Sequence, residues 1–348
     1  MPKQSGQPPT NANPPLIKDR EDLIAHLQTA LELEHSTIPP YLCALYSIKA
    51  GSNTEAASVI RSVAMEEMLH MTLVSNIMNA VGGHPSVNRA QFVPEYPTYL
   101  PHSADRFIVD LRPFSPEAIA TFLKIEHPPE PGAAPQPHRY DTIGQFYQAI
   151  LEGVEYLAGP GQPELFTGDR ARQITPEQWY YGGGGTAVVV TDLASARDAI
   201  EEVIEQGEGA KGIFDNSGAR GVKRELAHYY KFNEISAGRC YLDSDTEQSG
   251  PTGVELPIDW SAVHPMRPNP TVATFDGQPE TQALMVEFNR VYTRLLDVLH
   301  KAFNGEQQLL RDAVPLMFDL KYRAQALMKI PSGAGDGSTA GPSFEYTR

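Results

Sequence analysis

The chain is short of cysteine, of clustered positive charge and of long apolar runs, and each shortage closes off a class of function. Two cysteines in 348 residues, Cys43 and Cys240, are too few for a disulfide framework and lack the spacing of a zinc site. Cys43 falls within an apolar helical run and reads as a small buried thiol. No stretch approaches about 18 uninterrupted apolar residues, so no bilayer-spanning helix is expected. Residues 1–17 are polar and proline-rich without the apolar segment of a secretory signal, and read as a disordered arm. Lys and Arg number 28 against 43 Asp and Glu, a formal charge of −15 without a basic run. That balance argues against nucleic acid or an anionic membrane as the main partner. The tetraglycine at 182–185 is not followed by Gly-Lys-Ser/Thr, so it is no phosphate cradle. A soluble, reduced, cytoplasmic protein acting on a small molecule is the expectation. With 41% hydrophobic residues the chain can bury one large core.

What is present is a repeated tetrapeptide. Glu67-Met68-Leu69-His70 and Glu225-Leu226-Ala227-His228 share the form Glu-x-x-His, and a third copy is Glu32-Leu33-Glu34-His35. Composition alone would give roughly 0.75 such matches. At i, i+3 on a helix a carboxylate and an imidazole point the same way. Two such pairs, with one Glu from each of two partner helices, form the ligand set of a dinuclear carboxylate site in a four-helix bundle.

The placement supports that pattern. A helical period runs over 18–48, where Ile24, Leu27, Leu31, Glu34 and Ile38 recur every three to four residues, so Glu34 occupies a slot on an apolar stripe. Pro39-Pro40 should kink or interrupt this helix. Gly51-Ser52-Asn53 closes it and caps a second helix reaching about residue 81, in which Val63, Glu67, His70, Val74 and Ile77 share a face. Glu34 precedes the turn by about as many residues as Glu67 and His70 follow it, so an antiparallel hairpin brings the three to one level. Glu32 and His35 lie off the stripe and read as surface or outer residues. Glu66 and Glu67 are adjacent, and Glu67 is the one on the stripe.

A second hairpin spans 192–236, with Asp192 as N-cap, one helix to about 209 and another from about 221. Its motif supplies Glu225 and His228. The partner glutamate is open between two positions. Glu208 extends the Ile200, Ile204 stripe and is flanked by Gly207 and Gly209, whereas Glu205 better matches the height of Glu225; both together are also possible ligands. The insert over 84–190 reads as connector with short helices near 115–125 and 142–159 and a short strand at 187–191. Trp179, Tyr180 and Tyr181 are candidates to line a pocket for an aromatic substrate. Two helices over 281–330 and a Gly/Ser/Pro tail at 331–348 complete the chain.

Glu34-His35-Ser-Thr-Ile-Pro-Pro-Tyr-Leu, Glu66-Glu67-Met-Leu-His70-Met, Glu205-Gln-Gly-Glu-Gly209, Glu225-Leu-Ala-His228-Tyr-Tyr-Lys-Phe, Phe318-Asp-Leu-Lys321 and Gly341-Pro-Ser-Phe-Glu345-Tyr together resemble the ferritin-like domain of iminophenyl-pyruvate dimer synthases, the enzymes of violacein and indolocarbazole pathways. The resemblance covers residues 18–346. It implies an all-α, ferritin-like four-helix bundle with added helices and long loops, and metal ligands at Glu34, Glu67, His70, Glu208 (or Glu205), Glu225 and His228. In those pathways the domain belongs to a much longer chain that couples two indole-pyruvate imines oxidatively, so the resemblance leaves this chain's own substrate open.

Mixed carboxylate and imidazole donors suit iron or manganese better than zinc, and four carboxylates balance two divalent ions. The expected activity is a dinuclear iron oxidase acting on an amino-acid-derived small molecule, alone or as a homodimer or with a pathway enzyme. The rival expectations are dimanganese, catalase-like peroxide disproportionation and a non-catalytic metal-binding scaffold. A storage cage is disfavoured by the long insert.

Overall fold

The computed structural model describes residues 16–179, 184–207, 214–215 and 225–347, with Phe214, Asp215 and Glu225 described through their backbone. The fold is all-α. The only strands among the described residues are Phe214–Asp215 and Glu225–Leu226, a two-residue antiparallel pairing.

Two long helices form the spine. Helix α1 runs from Arg20 to Ser47. Asp19 starts it by accepting from the Asp22 amide at 2.8 Å, and Glu21 and Asp22 oppose the positive end of the helix dipole. Helix α2 runs from Thr54 to Ala80. Its N-cap Asn53 adopts the left-handed conformation and makes no side-chain cap; its amide instead donates to the Asp259 carbonyl at 2.9 Å. Helix α2 is buried on more than one face because helices pack against it from both sides.

The expected interruption of α1 does not occur. Pro39 and Pro40 lie inside a continuous helix. A proline lacks the amide that would bond the carbonyl four residues back, so Pro40 frees the Ser36 carbonyl. The buried Tyr96 hydroxyl donates to that carbonyl at 2.7 Å, so the acceptor is satisfied and the helix continues.

On one side of this hairpin pack α3 (Pro116–Ile125), α4 (Ile143–Leu157), α5 (Leu193–Gly207) and α6 (His228–Ala237). The last two have 15 and 10 residues, too short to line an α1 that is about 42 Å long at 1.5 Å per residue. Helix α3 packs on α6 and α1, and α4 on α5 and α1, so the insert helps build the core. Helix α6 starts at His228, not near 221 as the periodicity implied, because Glu225 and Leu226 are extended.

On the other side lie α7 (Pro279–Phe303) and α8 (Leu310–Leu327). The tail is held against α7: Phe344 is buried against Phe288 and Tyr292, and Asn289 donates to Ser343. Ile17, assigned by composition to the arm, is fully buried against Gly153; residues 1–15 of that arm lie outside the described residues. The expected strand at 187–191 is not one, because the Gln173 side-chain amide takes both polar groups of Val190, each at 2.7 Å.

Tyr96→Phe removes the donor that serves the Ser36 carbonyl and leaves a buried acceptor unpaired. Chemical denaturation should show a loss of about 1–3 kcal/mol.

Candidate metal centre

The centre of the bundle contains charge. Helix α1 presents Glu34, α2 presents Glu66, Glu67 and His70, the C-cap of α3 presents Glu126, and α6 opens with His228; all six are buried. Donor atoms of Glu34, Glu67 and His70 lie within 4.8 Å of one another, as do those of Glu67, Glu126 and His228. Glu67 therefore belongs to both triads.

The imidazoles are arranged alike. His70 turns Nδ1 toward Glu34 Oε2 at 3.2 Å and Glu67 Oε1 at 3.8 Å, while Nε2 lies 3.0 Å from the Gln206 side-chain oxygen. His228 turns Nδ1 toward Glu67 Oε1 at 3.0 Å and Glu126 Oε2 at 3.5 Å, while Nε2 donates to Glu66 Oε2 at 2.8 Å. The rings are 5.5 Å apart and 25° from parallel. Each ring thus aims one nitrogen at the carboxylates and anchors the other on an acceptor, the arrangement that fixes the orientation of a histidine metal ligand.

Further side chains hold the carboxylates. Tyr147 of α4 donates to Glu34 Oε1 and Tyr41 of α1 donates to Glu126 Oε1. The Thr37 hydroxyl donates to Glu67 Oε2 at 2.8 Å. Lys231 of α6 donates to both oxygens of Glu66 at 2.7 and 2.6 Å.

The electrostatics follow. Glu67 is pushed up to about 8, first by burial and then by the charges of Glu34 and Glu126. Burial works the same way on Glu66, but His228 and Lys231 outweigh it and hold that carboxyl at about 2. Glu34 is likewise lowered on balance, because His70 and Tyr147 overcome its burial. Burial disfavours the charged form of both imidazoles, yet Glu34 and Glu67 raise His70, and Glu126, Glu66 and Glu67 raise His228 well above the ordinary value.

The donor set fits a metal pair. Fully buried His228 Nδ1 has no hydrogen-bond partner among the described residues, although two carboxylate oxygens lie within 3.5 Å. A buried nitrogen facing carboxylates without hydrogen-bond geometry is suited to share a cation with them.

Four of the six residues expected from sequence, Glu34, Glu67, His70 and His228, meet here. Glu225 lies on the extended segment before α6, so its i, i+3 spacing from His228 is not a helical one, and its side chain lies outside what is described. Glu208 also lies outside the described residues. Glu205 is buried on α5 but joins neither triad. His35, expected at the surface or outside the ligand set, is 3% exposed and hydrogen-bonded to the Tyr292 hydroxyl at 2.6 Å, and burial drives it down to about 3. Glu32 is half-buried and accepts from Arg89 at 3.0 Å. Trp179 lines an apolar cavity against α7 and α8; Tyr180 and Tyr181 lie outside the described residues.

Glu126 is the residue that the sequence reading missed, and its signal was present. Ala118, Ile119, Phe122 and Ile125 are the buried stripe of α3, and position 126 continues it at i+4 from Phe122. Glu66 was missed because α2 is covered on two faces, so neither of its adjacent glutamates reaches solvent. Its signal was Lys231, three residues beyond His228.

Residues 27–237 match the Ferritin-like family model, and the chain belongs to the ferritin-like family. It is similar to a dichlorochromopyrrolate synthase of Lentzea aerocolonigenes, 26% identical over 94% of this chain and 36% of that protein. It is similar also to a 2-imino-3-(indol-3-yl)propanoate dimerase of Chromobacterium violaceum, 27% identical over 97% of this chain and 35% of that protein. The chain thus spans about a third of the length of these curated relatives. A crystal structure of a ferritin-like protein from Caulobacter vibrioides shares the fold, with a TM-score of 0.61 at 24% identity over 93% of this chain and 97% of that one. The relatives agree with the family resemblance seen in the motifs.

Lys231→Met removes the buried cation of Glu66 and leaves that carboxylate with His228 as its partner. Denaturation of the metal-depleted protein should show a loss of about 3–5 kcal/mol. Most of that loss should return when Glu66→Gln is added.

Proposed function

We propose that this chain is a metal-dependent oxidoreductase holding a dinuclear site, with iron as its metal, and that it acts on an amino-acid-derived small molecule in specialised metabolism. The observation that carries this reading is the pair of buried carboxylate–imidazole triads sharing Glu67. Glu34, Glu67 and His70 would hold one ion, and Glu67, Glu126 and His228 the other. Three carboxylates leave two divalent ions one negative charge short of balance. Glu205, buried on α5, or Glu208, which lies outside the described residues, would supply that charge.

Of the two relatives, one is by name a dimerase of 2-imino-3-(indol-3-yl)propanoate and the other a dichlorochromopyrrolate synthase. Oxidative coupling of two imines is the reaction proposed here. Forming one carbon–carbon bond between two substrate molecules removes two protons and two electrons, which dioxygen or peroxide must accept. A bound metal pair would supply the redox chemistry for that transfer. The protein's own part is to keep the carboxylates dry, to orient both rings through Gln206 and Glu66, and to hold protons at Tyr41 and Tyr147. Burial and the neighbouring carboxylates push both phenols well above their ordinary range, so they remain hydrogen-bond donors.

A cavity of about 630 Å³ is lined by chain neighbours of several of these residues, and its size admits a small organic substrate. Its lining includes His127, Gln148, Ile204 and Tyr229, which directly follow Glu126, Tyr147, and His228 or precede Glu205 in the chain.

Protein from iron-supplemented cells should carry about two metal ions per chain by elemental analysis and melt higher than after chelation. Glu67→Ala/His228→Ala should lose the metal. Oxidant consumption with aromatic imino acids generated in situ should disappear with it. Wild type without stoichiometric metal would sink the reading. Metal-loaded protein that disproportionates peroxide without organic substrate would favour the catalase-like alternative.

A further inference from the structure

The Phe318-Asp-Leu-Lys321 motif plays no part in the metal centre; it lies on α8, on the opposite side of the α1–α2 hairpin. There Phe318 and Lys321 border an open groove of about 550 Å³ between the α1–α2 turn, α2 and α8. Its floor meets a narrower internal cavity of about 80 Å³ bounded by α1, α2, α7 and α8. The two spaces share Leu42, Tyr46, Met68 and Met317 in their walls, so they abut at these side chains along one path from surface to interior.

The ends of that path differ in chemistry. The inner cavity is almost wholly apolar, lined by leucines and by Phe303 and Phe344, with the His35–Tyr292 pair and Thr72 as its main polar groups. The outer groove carries Lys49 from the turn after α1, Arg61 from α2 and Lys321 from α8, and no carboxylate lines it. In a chain of net charge −15, three cations from separate elements border this apolar opening. Phe318 adds an aromatic wall at 53% exposure.

We propose that this path is a binding site for a small amphipathic monocarboxylate, its apolar body lying over Leu42, Met68 and Met317 toward the inner cavity and its carboxylate at the mouth among Lys49, Arg61 and Lys321. Charge complementarity selects an anion, and the narrow inner end selects a slim apolar body. The proposal rests on the groove and not on the metal reading.

The probe is 3-phenylpropanoate, followed by isothermal titration calorimetry at low salt. Its neutral counterpart 3-phenylpropan-1-ol and the bodiless anion acetate are the comparisons. The acid should bind at least about tenfold tighter than either, and added salt should weaken it. Arg61→Ala/Lys321→Ala, both surface changes, should lower its affinity by about tenfold. Leu42→Trp, which fills the junction, should abolish binding while the circular dichroism melt reports an intact fold. Metal-depleted protein should bind as well as loaded protein. Equal affinity for acid and alcohol, indifference to Arg61→Ala/Lys321→Ala, loss of binding on metal removal, or absence of binding would each overturn the assignment.

Discussion

Everything in the bundle answers to one constraint, the enclosure of like charges. Glu34, Glu67 and Glu126 bring three carboxylates into one dry volume, where each raises the cost of ionising the next. The fold meets this with specific partners. Two phenols, one hydroxyl and two imidazoles converge on the three acids. Glu66, a fourth buried acid, has its own cation in Lys231. Glu67 is buried with a carboxylate on either side of it, and its own carboxyl stands at about 8. Positive charge placed between the triads would relieve that position most.

The same constraint explains why the insert is part of the core. Glu126 and Tyr147 arrive on α3 and α4, between the two hairpins in sequence. Without them α5 and α6, which pack on α2, would leave this side of α1 open. The carboxylates would then be hydrated and their pairing weak. The helices that complete the hydrophobic wall are also those that complete the donor set.

Much of the first hairpin was legible in sequence. Glu34 breaks an apolar stripe, and level-matching across the turn at Gly51 pairs it with Glu67 and His70, because both helices are long and regular. The same logic would have found Glu126 if the short α3 had been weighed like the long helices. It failed on the second motif for a physical reason: Glu225 and Leu226 are extended, so spacing there does not report a shared helical face. The proline pair does not interrupt α1 for a related reason. Its cost depends on whether the freed carbonyl finds another donor, and Tyr96, sixty residues away, is invisible to local propensity.

The two triads differ in how firmly they are held. Glu34, Glu67 and His70 sit mid-helix on the two longest elements before the C-terminal layer, backed by Tyr147, Thr37 and Gln206. Gly185 holds Gln206 close: a side-chain carbon there would lie 2.5 Å from its amide and 2.6 Å from Leu69. Glu126 and His228 instead stand at helix ends, one closing α3 and the other opening α6, next to residues lining the 630 Å³ cavity. Helix ends have fewer backbone hydrogen bonds to resist small movements. In the proposed enzyme the first triad is therefore the fixed position and the second the adjustable one on the substrate side. Glu67, which belongs to both, couples adjustment at the second position to charge at the first.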